Sequence, residues 1–206
     1  KTYDVFDLTD GSFMGTLYAD FHPRDGKKDG AWKTSYRNQG LFNGKVERPI
    51  VAIVCNFTKP TDKKPSLLTH NEVSTLFHEM GHAVHALLSR VTYQSLAGTS
   101  VLWDFVELPS QIQENWTYEK ETLDMFAGHY ETDEKIPEGL IKKLQDAKNF
   151  MVGWSGLRQI NFGIMDMSWH STDPATIDDV AAFEDKVTKD TSLFPRLAGP
   201  SSVSFS

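Results

Sequence analysis

The stretch LLTHNEVSTLFHEMGHAVHALL, residues 67–88, decides the fold of this chain and contains its most informative motif. Thr69 and Glu72 can form a capping box, in which each side chain accepts a hydrogen bond from the backbone N–H of the other, and this pair marks a helix start. Apolar residues then follow at helical spacing. We therefore predict a helix from about His70 to Ser89.

His78, Glu79 and His82 form an H-E-x-x-H motif inside that predicted helix. Residues four apart are neighbours on one helical face, so both imidazoles can reach a single metal ion. Glu79 lies about 100° round the helix from His78, which puts its carboxylate beside the ion, where it can accept a proton from water. The motif predicts a catalytic zinc site with Glu79 as the general base.

A third zinc ligand must come from elsewhere, because a hydrolytic zinc site has three protein ligands and an open position. His85 lies about 10.5 Å from His78 along the helix axis, too far for three imidazoles to converge on one ion. We expect His85 to pack beside the site instead. Three carboxylates around the start of a second predicted helix compete for the position: Asp104, Glu107 and Glu114. Glu107, which opens that helix, is the better candidate, and we expect Glu114 to be a solvated carboxylate.

The residues before the motif predict a small β-sheet. Residues 3–8 and 12–21 alternate in character and are joined by Asp10-Gly11, which predicts a hairpin. Residues 22–44 show no periodicity and predict a long loop with an aromatic anchor at Trp32. Residues 50–57 predict a strand, either buried or at an edge of the sheet. If it is an edge, an extended peptide could pair with it.

The residues from 67 onward are predicted to be helical. After the helix with the motif, we expect a second helix over about Pro109 to Phe126 and a third that starts at Pro137. Gly153 marks a break before a longer helix, and Thr176 with Asp179 predicts the cap of a last helix. The fold class is therefore mainly α with a small N-terminal β-sheet, which we expect to form one domain over residues 1–206.

Composition excludes several classes of function. A formal net charge of −7 and a pI near 5.5 argue against nucleic acid as a partner, because phosphate binding needs clustered Lys and Arg. The longest apolar run, residues 50–55, is far short of the roughly 20 residues that cross a bilayer, so we expect no membrane span. The single cysteine, Cys55, predicts a buried hydrophobic residue and is compatible with a reducing cytoplasm, which we take as the expected compartment.

These segments resemble the family of zinc metallopeptidases that includes thimet oligopeptidase, neurolysin and the bacterial peptidyl-dipeptidases. The resemblance rests on residues 67–88 and on DFVELPSQIQENW, residues 104–116, and it extends to residues 13–32 and 48–60. It implies a zincin-like catalytic domain, one zinc ion and Glu107 as the third ligand. It also implies a short peptide substrate.

The resemblance leaves the specificity open. The stretch GLRQINFGIMDMSWHS, residues 156–171, looks closer to the peptidyl-dipeptidases, so we expect release of C-terminal dipeptides. An endo-acting oligopeptidase is the alternative. Members of the family are several times longer, so we expect a fragment whose missing remainder forms the rest of a channel, and this fragment alone could bind metal without cleaving peptides. A noncatalytic module with structural zinc is disfavoured, because such sites are usually rich in cysteine.

Overall fold

The computed structural model of the protein describes residues 1–195 and 199–204. The chain divides into two compact units, residues 1–142 and the described residues from 143 onward, and each is treated by itself below. This division does not test whether the chain folds as one domain, which stays a prediction. No helix among the described residues is both long and apolar enough to cross a membrane.

The first unit begins with a four-stranded mixed sheet. Its strands lie in the order β1, β2, β6, β3, and a separate two-stranded ribbon is formed by β4 and β5. The bounds are β1 Thr2–Phe6, β2 Phe13–Asp20, β3 Trp32–Arg37, β4 Gly40–Phe42, β5 Lys45–Glu47 and β6 Ile50–Val54. β2 and β6 are parallel, whereas β1 pairs antiparallel with β2 and β3 pairs antiparallel with β6. The predicted sheet is confirmed, and it is larger than the sequence suggested.

The predicted hairpin of β1 and β2 is confirmed, but its turn is wider than Asp10-Gly11. The loop closes where the Asp7 N–H donates to the Ser12 carbonyl at 2.9 Å. Gly11 has a φ of 71°, a left-handed conformation that glycine adopts without strain. The glycine therefore serves the turn as expected, inside a longer connection.

The prediction of a long loop over residues 22–44 is wrong, because this range contains β3 and β4. Trp32 is the first residue of β3 and not a loop anchor. The sequence WKTSYR lacks an apolar alternation, and β3 forms because β6, remote in sequence, supplies backbone partners from Ile50 to Val54. Local pattern carries no information about such a partner.

β6 is an interior strand with neighbours on both sides, so the buried alternative is confirmed, and the condition for peptide pairing at this strand is not met. Val51 and Ile53 on β6 are fully buried, as is Cys55 just after the strand. Burial raises the pKa of the Cys55 thiol to about 12, which agrees with the expected buried, unreactive cysteine. Among the paired strands, β3 is the edge on this side of the sheet.

Helix α1, His70–Leu87, carries the motif and packs across the sheet. The Thr69 and Glu72 capping box is present, as predicted, and the helix ends two residues before Ser89. Burial of apolar side chains holds the helix on the sheet. The cluster contains Leu17, Ala19, Val51, Ile53, Ala83, Ala86 and Leu87. This packing fixes one face of α1 against the sheet.

The predicted helix over residues 109–126 is broken into shorter pieces. They are α2 Trp103–Val106, α3 Leu108–Glu114, a 3₁₀ turn Asn115–Tyr118 and α4 Lys120–Phe126. Helix α5, Glu138–Lys148, follows Pro137 as predicted and crosses the boundary between the two units. The described chain is thus mainly α with a small N-terminal sheet, and the predicted fold class is confirmed.

The second unit contains α6 Val152–Ser171 and α7 Val180–Val187, with 3₁₀ turns at Pro174–Thr176 and Ser201–Ser204. The predicted break before a longer helix is confirmed, but it lies at residues 149–151, just before Gly153: α5 ends at Lys148, and α6 starts at Val152 after Met151, which has a φ of 56°. The cap of α7 is Asp179 alone, whose side chain accepts from the Ala182 N–H at 3.0 Å. Thr176 ends the preceding 3₁₀ turn instead of capping α7.

Candidate metal centre

The structure brings His78, His82 and Glu107 together at one point between α1 and α3. The Nε2 atoms of His78 and His82 each lie 3.1 Å from the same oxygen, Oε2 of Glu107. The two imidazole rings are nearly perpendicular, with centroids 4.9 Å apart. Three candidate ligand atoms therefore converge, two from α1 and one from Glu107, the residue just before α3.

This set of donors fits a small divalent ion. One ligand atom from each of the three residues lies within 4.8 Å of the other two. A tetrahedral ion with bonds of about 2.0–2.1 Å would hold its ligand atoms about 3.3 Å apart. The observed 3.1 Å separations from Glu107 to the two imidazoles are close to that spacing. Two imidazole nitrogens and a carboxylate oxygen are also the donor types of hydrolytic zinc sites.

Gly81 allows α3 to come close enough to α1 for Glu107 to reach the histidines. A Cβ at Gly81 would lie 2.6 Å from the Ser110 Cα and 2.7 Å from the Pro109 carbonyl oxygen. Real side chains essentially never make such contacts with backbone. The glycine of the motif therefore has a packing role: it sets the distance between the two helices.

Ser110 holds the Glu107 carboxylate in position through its hydroxyl group. Its hydroxyl lies 2.8 Å from Oε2 of Glu107 and 2.9 Å from the Glu107 carbonyl oxygen. Ser110 is fully buried, so this hydroxyl is held in place by packing. This contact orients the carboxylate toward the histidines.

Glu114 is not the solvated carboxylate that the sequence led us to expect. Its Oε1 lies 2.6 Å from Nδ1 of His78. Donation from Nδ1–H to this carboxylate leaves the lone pair of Nε2 free to face Glu107 and any ion beside it. Glu114 therefore orients the His78 imidazole and selects its tautomer. Residues seven apart share a helical face, so the spacing from Glu107 to Glu114 is the signal that could have indicated this role.

Glu79 lies beside the cluster as a buried carboxylate. It is 5% exposed, and its Oε2 has no hydrogen-bond partner among the described residues. Burial raises the pKa of Glu79, and the charge of Glu107 adds to the rise. A buried, unpartnered carboxylate is costly in folding terms, so its presence next to three candidate ligands indicates a chemical use.

The remaining candidates lie away from the three converging atoms. The His85 ring packs against Phe105, with centroids 6.3 Å apart, as expected for a packing residue. Asp104 is exposed on α2 and does not take part in the cluster. Burial lowers the pKa of His82, which keeps this imidazole neutral and available as a ligand.

A cleft of about 350 Å³ opens above the cluster. Its walls include His78, Glu79, His82 and Glu107, together with the start of β3 and Thr99. Lys33 of β3 lines it and donates from Nζ to Thr99 Oγ1 at 2.9 Å. Sequence reasoning missed Lys33, because it assigned this segment to a loop.

The fold and the site together define a class of protein. A helix with two histidines four residues apart, a carboxylate from a neighbouring helix and a buried glutamate in an open cleft are the features of a metallohydrolase. More specifically, the sequence matches peptidase family M3 over residues 1–202, and the chain belongs to this family. Membership implies a divalent metal ion, which agrees with the set of donors on α1 and α3.

Individual relatives support the same conclusion. The chain is 43% identical over 176 residues to an oligopeptidase A of Haemophilus influenzae, an alignment that covers 84% of this chain and 26% of the relative. It is 39% identical over 204 residues to a thimet-like oligopeptidase of Dictyostelium discoideum, covering 97% of this chain and 30% of the relative. A dipeptidyl carboxypeptidase of Salmonella typhimurium is 37% identical over 185 residues, covering 89% of this chain and 27% of the relative. The chain thus spans between a quarter and a third of the length of these relatives.

Proposed function

We propose that this chain provides the metal site of a zinc peptidase that acts on short peptides. In this proposal His78, His82 and Glu107 hold one zinc ion, and Glu79 is the catalytic base. The observation that carries it is the convergence of two Nε2 atoms on one carboxylate oxygen, each nitrogen 3.1 Å from that oxygen. Beside them lies the buried Glu79 carboxylate, whose Oε2 has no hydrogen-bond partner among the described residues. Membership in a peptidase family supports peptides as the substrate.

The proposed chemistry assigns a task to each side chain. When bound, zinc would supply Lewis acidity toward a peptide carbonyl and would lower the pKa of water in the cleft. Glu79 accepts a proton from the attacking water and passes it to the nitrogen of the leaving amine. Glu114 and Ser110 hold His78 and Glu107 in position, so little reorganisation is needed when the reaction begins.

β3 is the strand that supports substrate pairing in this proposal. It lies at the edge of the sheet, and its first residues line the cleft. An extended peptide can add to such an edge through backbone hydrogen bonds, which would place a peptide bond near Glu79. The interior position of β6 leaves β3 as the strand suited to this role.

The finer specificity that we propose is release of C-terminal dipeptides. A relative named dipeptidyl carboxypeptidase and the character of residues 156–171 favour it, whereas relatives named oligopeptidase favour endo-acting cleavage. We further propose that the rest of a longer polypeptide completes the substrate channel, because the chain matches only part of each relative. Without that part, the metal site could be present and the activity absent.

Substitution of Glu107 tests the metal assignment. Glu107→Ala in the full polypeptide that carries this sequence should lose zinc, measured by elemental analysis, and should lose peptide cleavage. Asp104→Ala is the matched control, because it removes a neighbouring exposed carboxylate outside the cluster, and it should retain both. Stoichiometric zinc in Glu107→Ala would refute the ligand set.

Mass analysis of products from peptides blocked at the C-terminus would separate dipeptide release from endo-acting cleavage, since dipeptide release needs a free C-terminus.

A further inference from the structure

Lys33 is a charged residue on the face of the sheet that carries the apolar core. It pairs with Ile53, and Ser35 pairs with Val51. Directly opposed residues of antiparallel strands point to the same face. Val51 and Ile53 pack under α1, so Lys33 and Ser35 lie on the face that α1 covers. An apolar residue would be expected at position 33 from packing alone.

The Lys33 ammonium is half-buried, and its hydrogen-bond partners among the described residues are two hydroxyl groups. It donates to Ser35 Oγ at 3.1 Å and to Thr99 Oγ1 at 2.9 Å. No carboxylate within the described part of the chain forms an ion pair with it. Burial lowers the pKa of Lys33, and Glu79 acts in the opposite direction. Taking a cation partly out of water without an anionic partner has a cost that packing does not explain.

The position of Lys33 gives this charge a use. Among the described residues that line the cleft, it is the one lysine or arginine. It lies on the edge strand and shares the cleft with the three candidate ligands. An ammonium group has three N–H donors, and two acceptors account for two of them. The third can serve a ligand in the cleft.

We propose that Lys33 binds a carboxylate of the peptide substrate. This inference rests on the proposed peptidase function and adds a specificity residue to it. Two sources provide the same chemistry in a peptide: the free C-terminal carboxylate and the side chain of an aspartate or glutamate. Ser35 and Thr99 hold the ammonium at a fixed place on β3, so the carboxylate is recognised at a set distance from the bond that is cleaved.

The test compares four peptides with the full polypeptide loaded with zinc. One has a free C-terminus, the second is its C-terminal amide, and the third and fourth carry glutamate or glutamine near the cleaved bond. Lys33→Met removes the charge at similar volume and should raise KM about 10- to 100-fold for the peptides whose carboxylate is recognised. KM for the matched peptides that lack this carboxylate, the amide or the glutamine peptide, should change little. The zinc content of the variant should be unchanged.

Two further variants complete the experiment. Lys45→Met removes the same charge from an exposed strand residue outside the cleft, and it should behave like the wild type. Lys33→Arg keeps the charge and should restore most of the discrimination, which separates recognition from a loss of folding. In Lys33→Met, one pair of peptides should lose its difference in KM. If it is the free acid and the amide, Lys33 binds the C-terminal carboxylate; if it is the glutamate and glutamine peptides, Lys33 binds a side-chain carboxylate.

The outcomes that overturn the proposal differ from those that overturn the proposed function. An equal fall in kcat for all four peptides in Lys33→Met would assign Lys33 to the electrostatics of Glu79 and refute carboxylate recognition. The proposal would also be refuted if Lys33→Met left both KM ratios unchanged, that of the amide to the free C-terminus and that of the glutamine to the glutamate peptide. Failure of the wild type to cleave any of the four peptides would refute the peptidase function itself.

Discussion

Glu79 in the first unit and Glu184 in the second are both buried, at 5% and 1% exposed, but their surroundings differ. Glu184 accepts from the backbone N–H groups of Ser201 and Ser202 at 3.0 and 2.9 Å, and both serine hydroxyls contact it as well. Oε2 of Glu79 has no partner within the described part of the chain. A buried carboxylate with a full set of donors stabilises the fold, whereas one without partners is retained at a cost and indicates chemistry.

The largest expected effect follows from removing the charge of Glu79. Glu79→Gln should lower kcat about 10²- to 10⁴-fold, because an amide cannot accept the proton from water. Stability should not fall, since the buried charge disappears, and zinc content should be retained. Steady-state kinetics, thermal unfolding and elemental analysis measure these three quantities. If Glu79→Gln bound zinc and cleaved peptides at the wild-type rate, Glu79 would have no chemical role that distinguishes it from Glu184.

Glu114 is an intermediate case, a carboxylate with one partner that belongs to the site. Glu114→Gln should weaken zinc affinity about 10- to 100-fold, because a neutral amide oxygen accepts more weakly from His78 Nδ1–H and removes the negative charge that makes this imidazole a better ligand. Competition with a fluorescent chelator measures the affinity. Glu119→Gln, which changes an exposed carboxylate outside the cluster, is the control. Equal affinities in the two variants would show that the contact with His78 has no influence on the metal.

Removing the charge of Glu184 should act on folding alone. Glu184→Gln should destabilise the second unit by about 1–3 kcal/mol, because the amide nitrogen faces N–H and O–H donors in place of an acceptor oxygen. Urea unfolding of this variant and of the exposed-site control Asp190→Asn provides the comparison. Ser202→Ala combined with Glu184→Gln should cost less than the sum of the two. A loss of zinc in Glu184→Gln would contradict a purely structural role.

The smallest expected effect belongs to Glu72, a partly exposed carboxylate that accepts hydrogen bonds from several donors. Its oxygens accept from the Thr69 and Thr58 N–H groups at 2.8 and 2.7 Å, and these bonds lower the pKa of Glu72. Glu72→Gln should destabilise the fold by about 1 kcal/mol. Because the folded pKa is lowered, the contribution is present above the ordinary carboxyl pKa and is lost as pH falls through the lowered value.

Unfolding measured at neutral and acid pH checks this prediction. The difference between the wild type and Glu72→Gln should shrink on acidification, and Glu121→Gln, an exposed carboxylate in the first turn of α4, should show little difference at either pH. A difference that is constant with pH would mean that the charge of Glu72 has no part in the cap.

Local sequence determined the helix that carries the motif and the two histidines on its face. The Thr69 and Glu72 cap, the apolar period and the four-residue spacing of His78 and His82 are all short-range features, because a helix is closed by bonds within four residues. Glu107 was one of three open candidates by spacing, and the family resemblance selected it. Tertiary structure then placed it 3.1 Å from both histidines.

Tertiary structure alone decided what lies around that motif. β3 exists because β6 pairs with it, and this pairing carries Lys33 to the cleft. The close approach at Gly81 lets α3 bring Ser110 and Glu114 to the site. These roles depend on contacts between segments far apart in the chain, and neither propensity nor periodicity describes such contacts.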